Sequence, residues 1–317
     1  MLGMLYLQVT KYEGNRKLEW DNFVKSSKNG HFFFYRDYME YHSDRFQDFS
    51  LIIYNDKGNI MALLPASIDG DTVISHGGLT FGGFVCDSKM TAAKMLDVFA
   101  NVKQFLKNAG VRMFIYKRMP AIYNKYPSDE DLYALFRNNA ELYRRDVSFS
   151  IYLPDRLRYQ EQRKRAVKKG YRHQYILHES SKYEEYIALL DKILMKYHGT
   201  HPVHNVNELR LLAEKFSNNI KLYTAEKNGR IEAGTVLFLQ TGVVHTQYLA
   251  NSDDGKKTGA LDCLLDWLIT DVYKDKTWFD FGISCEQEGR YLNEGLAAQK
   301  EGFGARAVVH DFYRIEL

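Results

Sequence analysis

The stretch Phe279-Asp280-Phe281-Gly282-Ile283-Ser284-Cys285-Glu286-Gln287-Glu288-Gly289-Arg290-Tyr291 sets two acids, a thiol and a guanidinium around and behind a short apolar run. Polar groups in that position fall just past the C-terminal end of a strand, where open α/β sheets hold ligands. Cys285 beside Glu286 raises a nucleophile, but no base stands next to it, and a plain partly buried cysteine is the simpler reading. A second group is cationic: Arg156, Arg158, Arg163, Lys164, Arg165, Lys168, Lys169 and Arg172 face only Asp155 and Glu161. On a helix, Arg158, Arg165, Lys169 and Arg172 share one side, a stripe suited to a diphosphate or an RNA backbone. A solvated linker helix is the alternative.

Two glycine-bearing loops precede long helical patterns. One is His76-Gly77-Gly78-Leu79-Thr80-Phe81-Gly82-Gly83-Phe84; the other is Asn251-Ser252-Asp253-Asp254-Gly255-Lys256-Lys257-Thr258-Gly259-Ala260. Backbone of this kind can turn several N–H groups toward a phosphate, with Lys256 and Lys257 adding charge. An ordinary turn, tipped by Asp254-Gly255 and capped by Thr258, explains the second loop equally well. His198, His201 and His204 cluster around Pro202, but their spacing matches no metal site, so no metal is expected. No Ser-His-Asp order, nucleophile elbow or Walker loop is present.

The elements that must hold these groups occur twice. Leu51–Ala62 and Leu222–Ala233 each read as strand, tight turn, strand, with turn glycines at Gly58 and Gly229. At the same offset Asp71–Ser75 falls on Gly242–Thr246. A long helix and a short apolar strand follow in each half, Val111–Ile115 and Trp278–Gly282, with Phe114 matching Phe281. A period this long implies two copies of one domain. Antiparallel strands, a crossover helix and then a strand that must lie parallel make a mixed sheet with helices on its faces. Helices are expected at Lys17–Ser27, Tyr35–His42, Met90–Ala109, Ser128–Asn139 (Ser128 as N-cap, Asp131 at the capping-box position), Lys182–Tyr197, Asn207–Phe216, Thr258–Val272 and Gln287–Lys300. Strands are expected near Leu5–Val9, Phe49–Tyr54, Ile60–Ile68, Thr72–Ser75, Val111–Tyr116, Tyr143–Leu153, Tyr171–Leu177, Ile220–Ala225, Ile231–Leu239, Val243–Leu249, Trp278–Phe281 and Arg306–Ile315.

Composition fits two packed domains: 317 residues, 45% hydrophobic, 14% aromatic and 26% charged exclude disorder. A net charge of +3 is too small to imply nucleic-acid binding by itself. No run is long enough for a bilayer span, no export signal is read at the N-terminus, and Cys86, Cys263 and Cys285 lack redox or metal spacing. A cytoplasmic protein is expected, of unspecified oligomeric state.

The order strand, two helices, three antiparallel strands, long helix, parallel strand, helix, strand resembles the GNAT acyltransferase fold, and its duplication resembles the FemAB-like branch. Phe279-Asp280-Phe281-Gly282 followed by Gln299-Lys300-Glu301-Gly302-Phe303-Gly304-Ala305 is similar to that branch's C-terminal signature. Arg163-Lys164-Arg165-Ala166-Val167-Lys168-Lys169-Gly170 resembles its basic inter-domain segment, and Phe81-Gly82-Gly83 its first-domain loop. The GNAT pyrophosphate loop, (Q/R)-x-x-G-x-(G/A), is imperfect here: Lys256-Lys257-Thr258-Gly259-Ala260-Leu261 keeps a cation and one glycine.

The resemblance implies an α/β protein of two tandem GNAT-like domains, each a mixed, mostly antiparallel sheet flanked by helices. Residues 1–154 would recognise the acceptor, 155–170 form a basic inter-domain helix, and 171–317 bind the donor and carry catalysis. It implies direct acyl transfer to an amine, with acyl-CoA (acetyl-CoA first) as co-substrate and no metal. The amine would belong to a small molecule or a cell-envelope sugar or peptide precursor. Aminoacyl-tRNA is the alternative donor, and a binding module without activity a third reading. A groove between the strands Val243–Leu249 and Trp278–Phe281 would take the donor, with a backbone N–H near Tyr248 or Leu249 polarising its carbonyl. Asp280, Glu286 or His245 would take the amine proton, and Tyr291 would protonate the leaving group. Lys256, Lys257 and Gly259 would hold the donor, and Lys300, Arg165, Arg290, Phe81 and Gly82 the acceptor. Of the two copies, only the second has paired lysines before its long helix and an acid, Asp280, where the first is read to have Met113.

Overall fold

The computed structural model describes residues 6–317, so the first residues of the expected opening strand, and the side chain of His198, lie outside the described residues. Two compact units divide the chain. One holds the chain up to Asp146, with Glu288–Arg290 and Val309–Leu317; the other holds Val147–Gln287 and Tyr291–Val308. The sequence reading of 1–154, 155–170 and 171–317 does not contain this exchange, in which the end of the chain completes the first unit.

In the first unit, β1 (Gln8–Lys11), α1 (Lys17–Ser26) and α2 (Arg36–Met39) precede β2 (Gln47–Asp48), β3 (Leu51–Tyr54), β4 (Ile60–Leu64), β5 (Ser67–Asp69), β6 (Thr72–Ile74) and β7 (Val85–Cys86). Then come α3 (Ala92–Asn108), β8 (Met113–Lys117), α4 (Glu130–Arg137) and the start of β9 (Glu141–Tyr152). Pairing is antiparallel except where β6 lies parallel to β8, from Thr72↔Met113 to Ile74↔Ile115. The expected strand over Ile60–Ile68 is two strands, because Pro65 has no N–H for the ladder. Ser128 does not cap α4, which starts at Glu130 behind Asp129; Asp131 instead accepts from the Tyr116 hydroxyl at 3.0 Å. The core joins one face of α3 (Met95, Val98, Phe99, Val102, Leu106) to Leu51, Ile53, Phe114 and Tyr116.

In the second unit, α5 (Glu161–Arg172) leads to β10 (Ile176–Ser180), α6 (Tyr183–His198) and α7 (Val206–Lys215), the last closed by an Asn205–Glu208 capping box. β11 (Ile220–Lys227), β12 (Arg230–Leu239) and β13 (Val243–Asn251) form an antiparallel run with β10. α8 (Asp253–Thr258) and α9 (Ala260–Trp267) cross over to β14 (Trp278–Ile283), which lies parallel to β13 and antiparallel to β9. A hairpin of β15 (Cys285–Glu286) and β16 (Tyr291–Leu292), α10 (Glu294–Gly302) and β17 (Arg306–Glu316) complete the chain. Val244, Phe279, Phe281, Leu261, Leu264, Leu265 and Phe303 fill the second core.

Three expected elements differ here. The strand expected from Tyr171 begins at Ile176, because α5 continues to Arg172. The helix expected from Gln287 begins at Glu294; the preceding residues turn back through left-handed Gln287, Glu288 and Gly289 as a hairpin, and Asn293 caps the helix. The helix expected over Thr258–Val272 breaks at Gly259, which adopts φ 81°, and widens into a π turn at Leu268–Val272. The break lets α5 lie close: a Cβ on Gly259 would run into the Ala166 carbonyl, and one on Gly170 into the Gly259 carbonyl. Gly259→Ala should therefore cost about 3 kcal/mol, combining left-handed strain with overpacking. Gly229→Ala, at φ 74° in an open turn, should cost about 1 kcal/mol. Equal midpoints for the two variants in urea would show that the α5 approach is not tight.

Candidate active site

The second unit contains a place where a sheet opens. β13 and β14 pair only from Val243↔Trp278 to His245↔Asp280, although β13 continues to Asn251. Just beyond, β13 bulges against β12: Leu237 pairs with Thr246 but Val236 with Tyr248, leaving Gln247 as the extra residue. The bulge turns β13 away from β14. On the other side, Gly282 takes φ 75°, and a Cβ there would sit 3.2 Å from His245 Cε1, so glycine lets the strand end pass the imidazole.

Asp280 is fully buried on this floor. One carboxylate oxygen accepts from Ser148 Oγ at 2.6 Å and Ser150 Oγ at 2.7 Å, and the other lies 2.7 Å from His245 Nδ1. A carboxylate so placed fixes the tautomer: Nδ1 carries the hydrogen toward Asp280, and Nε2 is left as the base. The His245 side chain retains 14% exposure, enough for contact with a ligand. In the first unit the matching last pair is Ile74↔Ile115. The register thus aligns Ile115, rather than Met113, with Asp280. The first unit also closes the opening: Gly82 bridges in parallel to Arg118, its N–H donates to the Lys117 carbonyl, and Ser75 Oγ accepts from the Lys117 N–H.

Lys300 lies in the last turn of α10, but its ammonium is not at the helix end. It is buried and donates to the Gly282 and Ile283 carbonyls, each at 2.8 Å, which pins the end of β14 behind Asp280. Burial lowers it to about 8, while Asp280 and Cys285 pull it upward. Cys285 Sγ accepts from the Val147 N–H at 3.3 Å.

The remaining expected residues are placed elsewhere. Glu286 and Tyr291 face each other across the β15–β16 hairpin, both exposed, and Glu286 accepts from Asn293 at 3.1 Å. Tyr291 therefore stands on a strand, not one helix turn past the groove. Arg290 is exposed at the hairpin tip, and Arg165 on the outer face of α5. Phe81 is buried in the first unit against His31, Phe33 and Tyr123. Tyr248 and Leu249 lie just beyond the bulge of β13. Lys256 covers the Tyr197 ring at 3.8 Å and Lys257 pairs with Asp254. The loop around them is helical: Ser252, not Thr258, is its cap, and the N–H groups of Gly255, Lys256 and Gly259 already bond to Ser252 Oγ, the Ser252 carbonyl and the Gly255 carbonyl. His201 pairs with Asp191 at 2.6 Å, and among the described residues no three His, Cys, Asp or Glu gather as a metal site. The sequence reading missed the serines under Asp280, since Ser148 and Ser150 lie in a strand with no local motif.

The buried lysine gives a pH test with a defined sign. Its folded value of about 8 lies below the unfolded 10.5, so the unfolded chain holds more protons between those values. Stability should rise as pH rises through that window, by up to ~3 kcal/mol, and be lowest below about 8. Lys300→Met should remove this rise in urea titrations at successive pH values; an unchanged slope would place its source elsewhere.

No protein-family model and no curated protein matches this sequence. Solved structures do match in fold. FemX superposes with a TM-score of 0.69 at 9% identity, over 98% of this chain and 97% of that one. L-PGS from Bacillus licheniformis gives 0.62 at 13%, over 96% and 92%. A tandem GNAT protein from the clavulanic acid biosynthesis pathway gives 0.52 at 9%, over 98% of each. The chain therefore has the FemAB-like, GNAT-related fold, built as two tandem domains.

Proposed function

We propose that the protein is an N-acyltransferase whose second unit binds the donor and carries the chemistry, and whose first unit recognises an amine acceptor, plausible as a cell-envelope precursor. The observation that carries this reading is the His245–Asp280 pair at the point where β13 and β14 part. Neutral Nε2 takes a proton from the acceptor amine as its nitrogen attacks the acyl carbonyl. Asp280 balances the imidazolium that forms, and a main-chain N–H past the β13 bulge holds the developing oxyanion. Positioning supplies most of the rate in such a direct transfer.

Two donors are compatible with this chemistry, and the surroundings of Gly259 favour one. The N–H groups that a pyrophosphate would need are engaged within α8, Asp253 and Asp254 occupy its first turn, and α5 packs over the break. The outer face of α5 presents Arg165, Lys168, Lys169 and Arg172 to solvent. These features favour an acyl group carried on RNA, an aminoacyl-tRNA, over acyl-CoA. The third reading, a binding module without activity, predicts no donor-dependent turnover.

Purified protein should be incubated with aminoacyl-tRNA or acetyl-CoA and a panel of amine-bearing nucleotide-sugar and peptide precursors. Transfer from the RNA ester is expected, lost as salt rises, and weakened when Lys168, Lys169 and Arg172 become Glu. His245→Gln should lower kcat by about 10²-fold or more with little change in KM or melting temperature. Transfer from acetyl-CoA alone would reverse the choice of donor. Turnover unaffected by His245→Gln would remove it as the base.

A further inference from the structure

Tyr248 stands on β13 just past the bulge. Its register partner Val236 and the His245 partner Phe238 alternate along β12, so Tyr248 and His245 project from the same face of the sheet. Its hydroxyl does not end in solvent. His204, itself 5% exposed, places Nδ1 at 2.7 Å and its main-chain N–H at 3.3 Å from the Tyr248 oxygen. The Gln247 side chain and the Val203 main chain add further hydrogen bonds to the same oxygen. An oxygen that collects donors has its lone pairs taken and its own hydrogen free, and the same donors stabilise the phenolate left when that hydrogen departs. Burial pushes the phenol upward while these donors pull it down.

The geometry points to Tyr248 as the proton donor to the leaving group, with His204 as the residue that positions and charges its oxygen. This inference rests on the acyl-transfer reading above. The amine nitrogen bonds to the acyl carbon and its proton passes to His245 Nε2. The bond from that carbon to the carrier oxygen breaks, and the oxygen takes the Tyr248 hydrogen. The tyrosinate then recovers a proton from the His245 imidazolium through solvent, so the cycle closes with no co-reactant. Tyr291, more than half exposed on the hairpin, has no comparable set of donors in the described structure.

The test compares two donors bearing the same alanyl group, with the amine acceptor held constant. Alanyl-tRNA expels an alkoxide, which needs a proton; alanine p-nitrophenyl ester expels nitrophenolate, which does not. Tyr248→Phe should slow transfer from alanyl-tRNA about 10²-fold or more and transfer from the nitrophenyl ester by about threefold or less. His204→Ala should move the alkaline limb of the alanyl-tRNA kcat profile to higher pH, because the tyrosinate loses a donor; a packing role would leave that limb in place. Equal losses with both donors, at an unchanged melting temperature, would overturn the assignment while leaving acyl transfer intact. Wild-type protein inert with both donors would overturn acyl transfer and this assignment together. A Tyr248→Phe variant that melts early is replaced by the His204→Ala profile, where an unshifted limb is the overturning result.

Discussion

A carboxylate sealed from water must be surrounded by donors, and Asp280 shapes much of the second unit through that requirement. Ser148 and Ser150 come from β9, His245 from β13, and Asp280 itself from β14. Three strands are thus tied at one buried oxygen pair, at the last register position where β13 and β14 still pair. Removing any donor would leave a buried charge undersatisfied, a far larger penalty than losing a surface contact. The same satisfaction fixes which imidazole nitrogen faces the opening, so the packing that stabilises the sheet also prepares a base.

Duplication supplies the contrast. Both units run an antiparallel set into a crossover helix and a parallel strand, and both end their parallel pairing after the same step. In the first unit that step is Ile74 with Ile115, apolar on both sides, and the glycine-bearing loop fills the space beyond. Gly82 and Gly83 are there because Cβ atoms would collide with the Ser75 carbonyl and the Tyr116 hydroxyl. One topology thus closes in one copy and opens in the other.

Fold was legible because it is written in period and order: turn glycines at Gly58 and Gly229, alternating strands, and a long amphipathic α3. Residues whose roles depend on partners distant in sequence were legible only in part. Asp280 and His245 stood out by type and strand position, yet nothing local named Ser148 or Ser150 as their support. Lys256 and Lys257 read as a phosphate loop because glycine and lysine adjoin, but Gly259 serves the approach of α5, and Ser252 winds the segment into a helix. Lys300 read as a helix end with a cationic cap, whereas its long stem carries the ammonium back to the carbonyls of Gly282 and Ile283. Pro65 and the hairpin before α10 moved boundaries for local reasons, a missing N–H and a run of left-handed residues.

The central claim is that acyl transfer occurs in the opening between β13 and β14 with His245 as the base. A crystal structure with a bisubstrate analogue, in which an amine acceptor is joined by an amide to an aminoacyl-adenosine terminus, tests it most directly. The account predicts the joining carbonyl lodged beyond the His245–Asp280 pair, its oxygen on a main-chain N–H past the β13 bulge and its nitrogen within hydrogen-bond reach of His245 Nε2. An analogue bound elsewhere, with His245 and Asp280 untouched, would contradict it.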